Sequence, residues 1–350
     1  MTDHNSADHN SARIPLDQVA EDQREAVRAF REAGEISYQH APSIAAGRES
    51  AARASLAAAL PPDDIASVTD VTVPATTVDG EFTVRIYDPA TGAPESAPTD
   101  RPVVLYAHGG GWVIGSLDTH DSICRRLSSL TGLPVVSVGY RLAPEHPFPV
   151  PYTDPVDALA WIRDHSSAHG GSYHWNPQRV IVAGDSAGGS IAAGLASVPS
   201  MQVEGTTVIA QVLLYPSVDL AHETEAYDRV SAGFPLTADS VRWFADQLLT
   251  SREDAADPRA SPLHWLRTGG PDGGPVTAEQ PPAFILALGL DPLGTEAVDY
   301  ATALTRCGTE VELHYLPHHA HGMANAAGAV ATGERVIALA AGFISRHAVP

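Results

Sequence analysis

The chain has 350 residues, 44% of them hydrophobic, and 42 acidic against 21 basic residues give it a net charge of −21. That is enough apolar material for one large α/β domain with a smaller appendage, and so acidic a surface excludes nucleic acid and anionic membrane as natural partners. Two distant cysteines, Cys124 and Cys307, supply no disulfide framework and read as reduced apolar side chains.

The amino terminus begins Met1-Thr2-Asp3-His4 and then repeats Asp-His-Asn-Ser-Ala twice over residues 3–12. Such a segment can bury nothing and is expected to be disordered. It carries no secretory signal, and no run in the chain is apolar for long enough to span a bilayer, so the expectation is a cytoplasmic protein without a membrane span. Leu16, Val19, Val27 and Phe30 fall near helical spacing, and an Ala-rich stretch over 44–60 predicts a second helix. Residues 67–76 and 82–87 alternate as strands around an Asp79-Gly80 turn. Further apolar runs then alternate with helical stretches: 103–107, 135–138, 180–183, 212–215, 284–288 and 311–316. That alternation predicts a mostly parallel sheet with helices on both faces. Residues 221–260 interrupt it, and Phe234, Trp243, Phe244 and Leu248 are expected there on one helix between two strands. Residues 268–282 are rich in glycine and proline and read as an exposed loop.

Three motifs carry chemistry. Gly184-Asp185-Ser186-Ala187-Gly188-Gly189 follows the run Arg179–Ala183, so a buried strand enters Gly-x-Ser-x-Gly. The sharp strand-to-helix turn this demands lifts a serine hydroxyl above the sheet, where a histidine can reach it. His108-Gly109-Gly110-Gly111-Trp112 follows the strand 103–107. Its glycines leave backbone N–H groups uncovered, as an acyl-transfer oxyanion requires, and the N–H of Ala187 supplies a further donor. Asp291 and His321 each follow an apolar strand, and the chain order Ser, Asp, His is that of an α/β-hydrolase triad. His318, His319 and His321 lack a metal-like spacing, so no metal and no organic cofactor is expected. His108 reads as a loop organiser, and Glu145 as the holder of a loop near the site or a capped surface turn.

His108–Trp112, Tyr140–Pro149, Gly184–Gly189, Asp291-Pro292-Leu293 and His321-Gly322-Met323 together resemble the hormone-sensitive-lipase-like family of bacterial esterases, in its Gly-Asp-Ser-Ala-Gly branch. The resemblance covers roughly residues 70–345. It implies an α/β-hydrolase fold with a helical cap, built from residues 1–66 and 221–260 over a catalytic domain of residues 67–350. It further implies Ser186 as nucleophile, His321 as base and Asp291 as its orienter. Gly109, Gly110, Gly111 and Ala187 become the oxyanion hole, and Trp112, Asp185 and Met323 the substrate contacts. The chain departs from the family pattern at Gly294-Thr295-Glu296 and at Met323, where an aromatic is common.

The expected function is a serine carboxylesterase acting on short-chain esters, with a small-molecule ester as its partner and a homodimer left open. Two alternatives stand beside it: an acyltransferase or amidase on the same triad, and a non-catalytic small-molecule receptor on the hydrolase fold. A receptor is expected to lose a triad member, whereas all three are present here.

Overall fold

Alternation on either side of Asp79-Gly80 is what a half-buried hairpin requires, and β1 (Ser67–Ala75) and β2 (Gly80–Asp88) pair antiparallel across it. The computed structural model describes residues 13–90, 100–270 and 273–349. The repeat at 3–12, and with it the expectation of disorder there, lies outside the described residues, as does Pro271. Before the hairpin come α1 (Glu21–Glu32) and α2 (Ile44–Ala58). The Ser43 hydroxyl caps α2 by accepting from the Ala46 N–H at 3.2 Å, satisfying one donor that a helix start leaves free.

After the hairpin the chain winds β3 (Val103–Ala107), α3 (Asp121–Thr131), β4 (Val135–Gly139), α4 (Val150–Asp164), β5 (Val180–Asp185), α5 (Ala187–Ser197) and β6 (Val208–Leu214). It continues through α6 (Glu225–Arg229), α7 (Ala238–Leu248), α8 (Pro262–Thr268), β7 (Ala283–Leu290), α9 (Gly294–Arg306), β8 (Val311–Ala320) and α10 (Ala331–His347). The eight strands form one sheet in the order β1-β2-β4-β3-β5-β6-β7-β8, antiparallel as far as β4 and parallel beyond it. This is the α/β-hydrolase fold expected from the sequence. β3, β5 and β7 are buried along their whole length, as strands covered on both faces must be. One core layer joins α4, α5, α8 and α9 to the sheet; the other face is covered by α3 and α10.

Two strands, β6 and β8, run four residues beyond their apolar runs at one end. β6 starts at Val208 because Gln211, which reads as a strand-ending polar residue, is fully buried with its amide donating to the Pro281 carbonyl at 2.9 Å. β8 continues through Pro317-His318-His319 to Ala320. Over 221–260 the single-helix expectation fails. Phe234 lies between α6 and α7, where Gly233 has φ +84° and Pro235 has no N–H to give a helix, and Thr237 caps a new start. Phe234 instead packs with Val19 and Val27, bringing the first helical segment against the second. Arg31 reinforces this by donating to the Gly233 carbonyl at 3.0 Å, and Ser240 donates to Gln39 at 3.1 Å.

Among the described residues no helix is long and apolar enough to cross a membrane. Cys124 and Cys307 are both free and buried.

Candidate active site

Ser186 stands between the end of β5 and the first residue of α5, with φ 55° and ψ −120°. A non-glycine residue occupies this region only where its surroundings over-determine it. Here its N–H donates to the Leu214 carbonyl at 2.9 Å, and its own carbonyl accepts from Ser217 at 3.1 Å. The flanking glycines are sterically required. A Cβ on Gly188 would sit 2.0 Å from the Ala107 carbonyl oxygen, and one on Gly184 would sit 2.3 Å from that of Gly188.

β7 and β8 deliver the partners. His321 Nε2 lies 2.9 Å from Ser186 Oγ, and His321 Nδ1 lies 2.7 Å from Asp291 Oδ2. Asp291 is fully buried, and its other oxygen accepts from the Leu293 N–H at 2.9 Å, so the carboxylate is fixed before it meets the imidazole. Tyr215 meets the His321 ring edge-on with centroids 4.7 Å apart. Residues far apart in sequence are thus brought into one hydrogen-bonded line.

The glycine loop does not behave uniformly. The N–H of Gly109, expected as an oxyanion donor, is already committed to Asp185 Oδ1 at 2.9 Å. The N–H groups of Gly110 and Gly111 have no protein acceptor among the described residues. Ala187 is the first residue of α5, where a helix leaves its N–H unpaired. Asp185, expected to contact substrate, borders the cavity above Ser186, and its carboxylate accepts from Tyr106 Oη at 2.8 Å and from Gly109, with His120 Nε2 3.3 Å away. Burial pushes the Asp185 carboxyl up, but His120 and the Tyr106 hydroxyl outweigh it and hold the group below its ordinary range. His108 organises the loop from behind: it stacks on Tyr140 at 4.3 Å, and burial brings its pKa down to about 3, so it stays neutral.

A cavity of about 350 Å³ opens onto Ser186 and His321. Gly110 and Gly111 form part of its wall; Tyr38, Ala54 and Ala58 close it from the first helical segment, and Leu236 and Phe244 from the second. Trp112 and Met323, both expected at the substrate, are not in that wall. Trp112 is buried against Tyr152, and Met323 is buried with α10 under the other face of the sheet. Glu145 ties the loop after β4 to α2 through Arg48, at 2.6 Å.

Sequence reasoning missed His120, which lines the cavity beside Asp185; its signal was weak, a lone histidine before an acidic helix start. Glu296, noted only as part of a departure from the family pattern, also has a structural task. This buried carboxyl accepts from the Val218 N–H at 2.7 Å and clamps the loop after β6 to the helix after Asp291. Burial, with Asp219 and Asp291 nearby, raises it well above the usual carboxylate range. Among the described residues no cluster of three or more metal-ligating side chains occurs.

The sequence model of a family described as having the alpha/beta hydrolase fold matches residues 104–325. The carboxylic ester hydrolase LipN of Mycobacterium tuberculosis is 38% identical over 262 residues, 74% of this chain and just under two thirds (64%) of that protein. An ethyl acetate hydrolase of Pseudomonas putida is 36% identical over 296 residues, 84% of this chain and 87% of its own. Among solved structures, the ester-hydrolase EH1AB1 from the metagenome of Lake Arreo superposes with a TM-score of 0.82 at 30% identity, covering 94% of this chain and 99% of that one. The chain therefore belongs to the α/β-hydrolase family, among its carboxylic ester hydrolases of the hormone-sensitive-lipase-like kind.

Proposed function

We propose that this protein hydrolyses short-chain carboxylic esters through an acyl-enzyme on Ser186. The observation that carries the reading is His321, which bridges Ser186 Oγ at 2.9 Å and buried Asp291 at 2.7 Å. His321 Nε2 takes the Ser186 proton as Oγ bonds to the ester carbon, and the carbonyl electrons move onto oxygen. Gly110, Gly111 and Ala187 donate to that oxyanion from positions fixed beforehand, which is where such sites gain most of their rate. His321 then returns the proton to the departing alcohol. Asp291 holds the ring in the working tautomer and stabilises its charged form throughout. Water, deprotonated by the same imidazole, attacks the acyl-Ser186 carbonyl and releases the acid.

Residues 13–66 and 221–260 act together as the cap over a hydrolase domain of residues 67–349. In support, Tyr38, Ala54, Leu236 and Phe244 bound the cavity above Ser186. A cavity of about 350 Å³ lies at the small end of the range for ligand pockets, which favours a small ester. The test is release of nitrophenol from esters of increasing acyl length, with products analysed in water and with added alcohol. Free acid as the main product supports hydrolysis. Quantitative transfer to the alcohol would make the protein an acyltransferase, and no turnover of any ester would end the catalytic reading.

A further inference from the structure

Catalysis by a triad requires the base to be held as firmly as the acid that orients it, and His321 follows the last residue of an edge strand. Among the described residues β8 has a strand, β7, on one side only. It also loses register before its end: Leu288 pairs with Leu316, but Leu290 pairs with Ala320, so β8 carries two extra residues just before the base. Gly289 accommodates the bulge, since a Cβ there would sit 2.3 Å from the Pro317 carbonyl oxygen. A bulged strand end on a free edge is a poor mount for a catalytic imidazole.

The start of α1 supplies the missing neighbour. His318 and Ala320, two residues apart, present their backbone to the same side of a strand. The His318 carbonyl accepts from the Ala20 N–H at 2.8 Å. At Ala320 the partner is a side chain: Gln23 Oε1 accepts from the Ala320 N–H at 2.7 Å, and Gln23 Nε2 donates to the Ala320 carbonyl at 3.1 Å. Both Gln23 and Ala320 are buried, so no water is available to replace either bond. Asp22 adds a brace, accepting from the Thr332 N–H at 2.8 Å with His319 Nε2 3.1 Å away.

We propose that Gln23 is a positioning residue for the catalytic base: its amide serves as one residue of a ninth strand and fixes Ala320, and through it the reach of His321 to Ser186. The proposal rests on the reading of His321 as base. It gives the amino-terminal segment a task beyond closing the cavity, because the same helix that carries cap residues completes the triad's mounting.

The test compares three variants of the full chain. Gln23→Met keeps the length of the side chain and removes both bonds; Gln23→Glu keeps the acceptor for the Ala320 N–H. Arg28→Ala removes an exposed ion pair with Glu25 on the same helix, without touching Ala320. The expected result for Gln23→Met is a kcat lowered roughly ten- to hundredfold, the scale of a small misplacement of a catalytic group, with KM changed by less than about threefold because substrate binding is left intact. Labelling of Ser186 by a serine-reactive phosphonate should slow in parallel. Gln23→Glu should fall between it and the parent, and Arg28→Ala should keep the parent kcat. A parental kcat in Gln23→Met, or an equal loss in Arg28→Ala, would overturn the proposal. If Gln23→Met does not fold, Gln23→Glu against Arg28→Ala decides it: equal kcat values overturn it. Failure of the triad reading itself looks different, because the parent protein would then not be labelled at Ser186 at all.

Discussion

Asp185→Ala should damage both stability and turnover, because the Asp185 carboxylate holds the glycine loop in place. The carboxylate is buried and accepts from Tyr106 Oη at 2.8 Å and from the Gly109 N–H at 2.9 Å, with His120 nearby. Two hydrogen bonds to a charged acceptor, each worth about 1.5–3 kcal/mol, place the loss at about 3–6 kcal/mol. That is a large part of the 5–15 kcal/mol that holds a typical protein together. The catalytic effect has a separate origin. Releasing Gly109 lets the adjoining Gly110 and Gly111 donors drift, and the loss of one oxyanion donor costs about 10²–10³ in kcat. Asp185→Asn retains an oxygen for Tyr106 and Gly109 and should lie between. A carboxyl whose pKa is lowered on folding stabilises the protein above its unfolded pKa of about 4, and the contribution fades as pH falls through the lower folded value. The melting temperatures of the parent and of Asp185→Asn should therefore converge as pH is lowered from 7 toward 3. Thermal unfolding at several pH values, with nitrophenyl acetate turnover at neutral pH, measures all three effects. An Asp185→Ala protein with the parent's Tm and kcat would refute the reasoning.

Asp291→Asn should fold normally yet lose up to roughly four orders of magnitude in kcat, as expected when the orienting carboxylate is lost; Glu296→Gln should cost far less turnover, since Glu296 touches Val218 and not His321. Phe244→Ala should move the best acyl chain to a longer one, because Phe244 closes the cavity beside Gly111, and each further methylene accommodated adds about 0.8 kcal/mol; an unchanged profile of kcat/KM against chain length would remove Phe244 from the wall. Activity should survive dialysis against EDTA, and recovery only on adding zinc would contradict a metal-free mechanism.

Much of the site is legible in the sequence because its chemistry is local. A strand entering Gly184–Gly188 forces one backbone geometry on Ser186, and Asp291 and His321 end strands that apolar runs reveal. What was not legible depends on partners remote in the chain. Asp185 borders the cavity from its place beside Ser186, but only the fold shows that Tyr106 and Gly109 bind its carboxylate. The same bond withdraws Gly109 from the oxyanion donors. Trp112 and Met323 border motifs, and only packing decides that they turn into the core. Phe234 falls outside the helix expected for it because Gly233 and Pro235 flank it and Thr237 starts a new helix. Gln23 gives no signal of its own, since a polar residue in an amphipathic helix reads as surface until β8 is seen lying against it.

The role of Ser186 as the nucleophile of an ester hydrolase is tested most directly by intact-protein and peptide mass analysis after reaction with a serine-reactive phosphonate, in the parent and in Ser186→Ala. One phosphonyl group is expected on the parent, located at Ser186 and formed as esterase activity disappears, with no label and no turnover in a folded Ser186→Ala. Near-parental turnover by Ser186→Ala, or stoichiometric labelling at another residue as activity is lost, would contradict it.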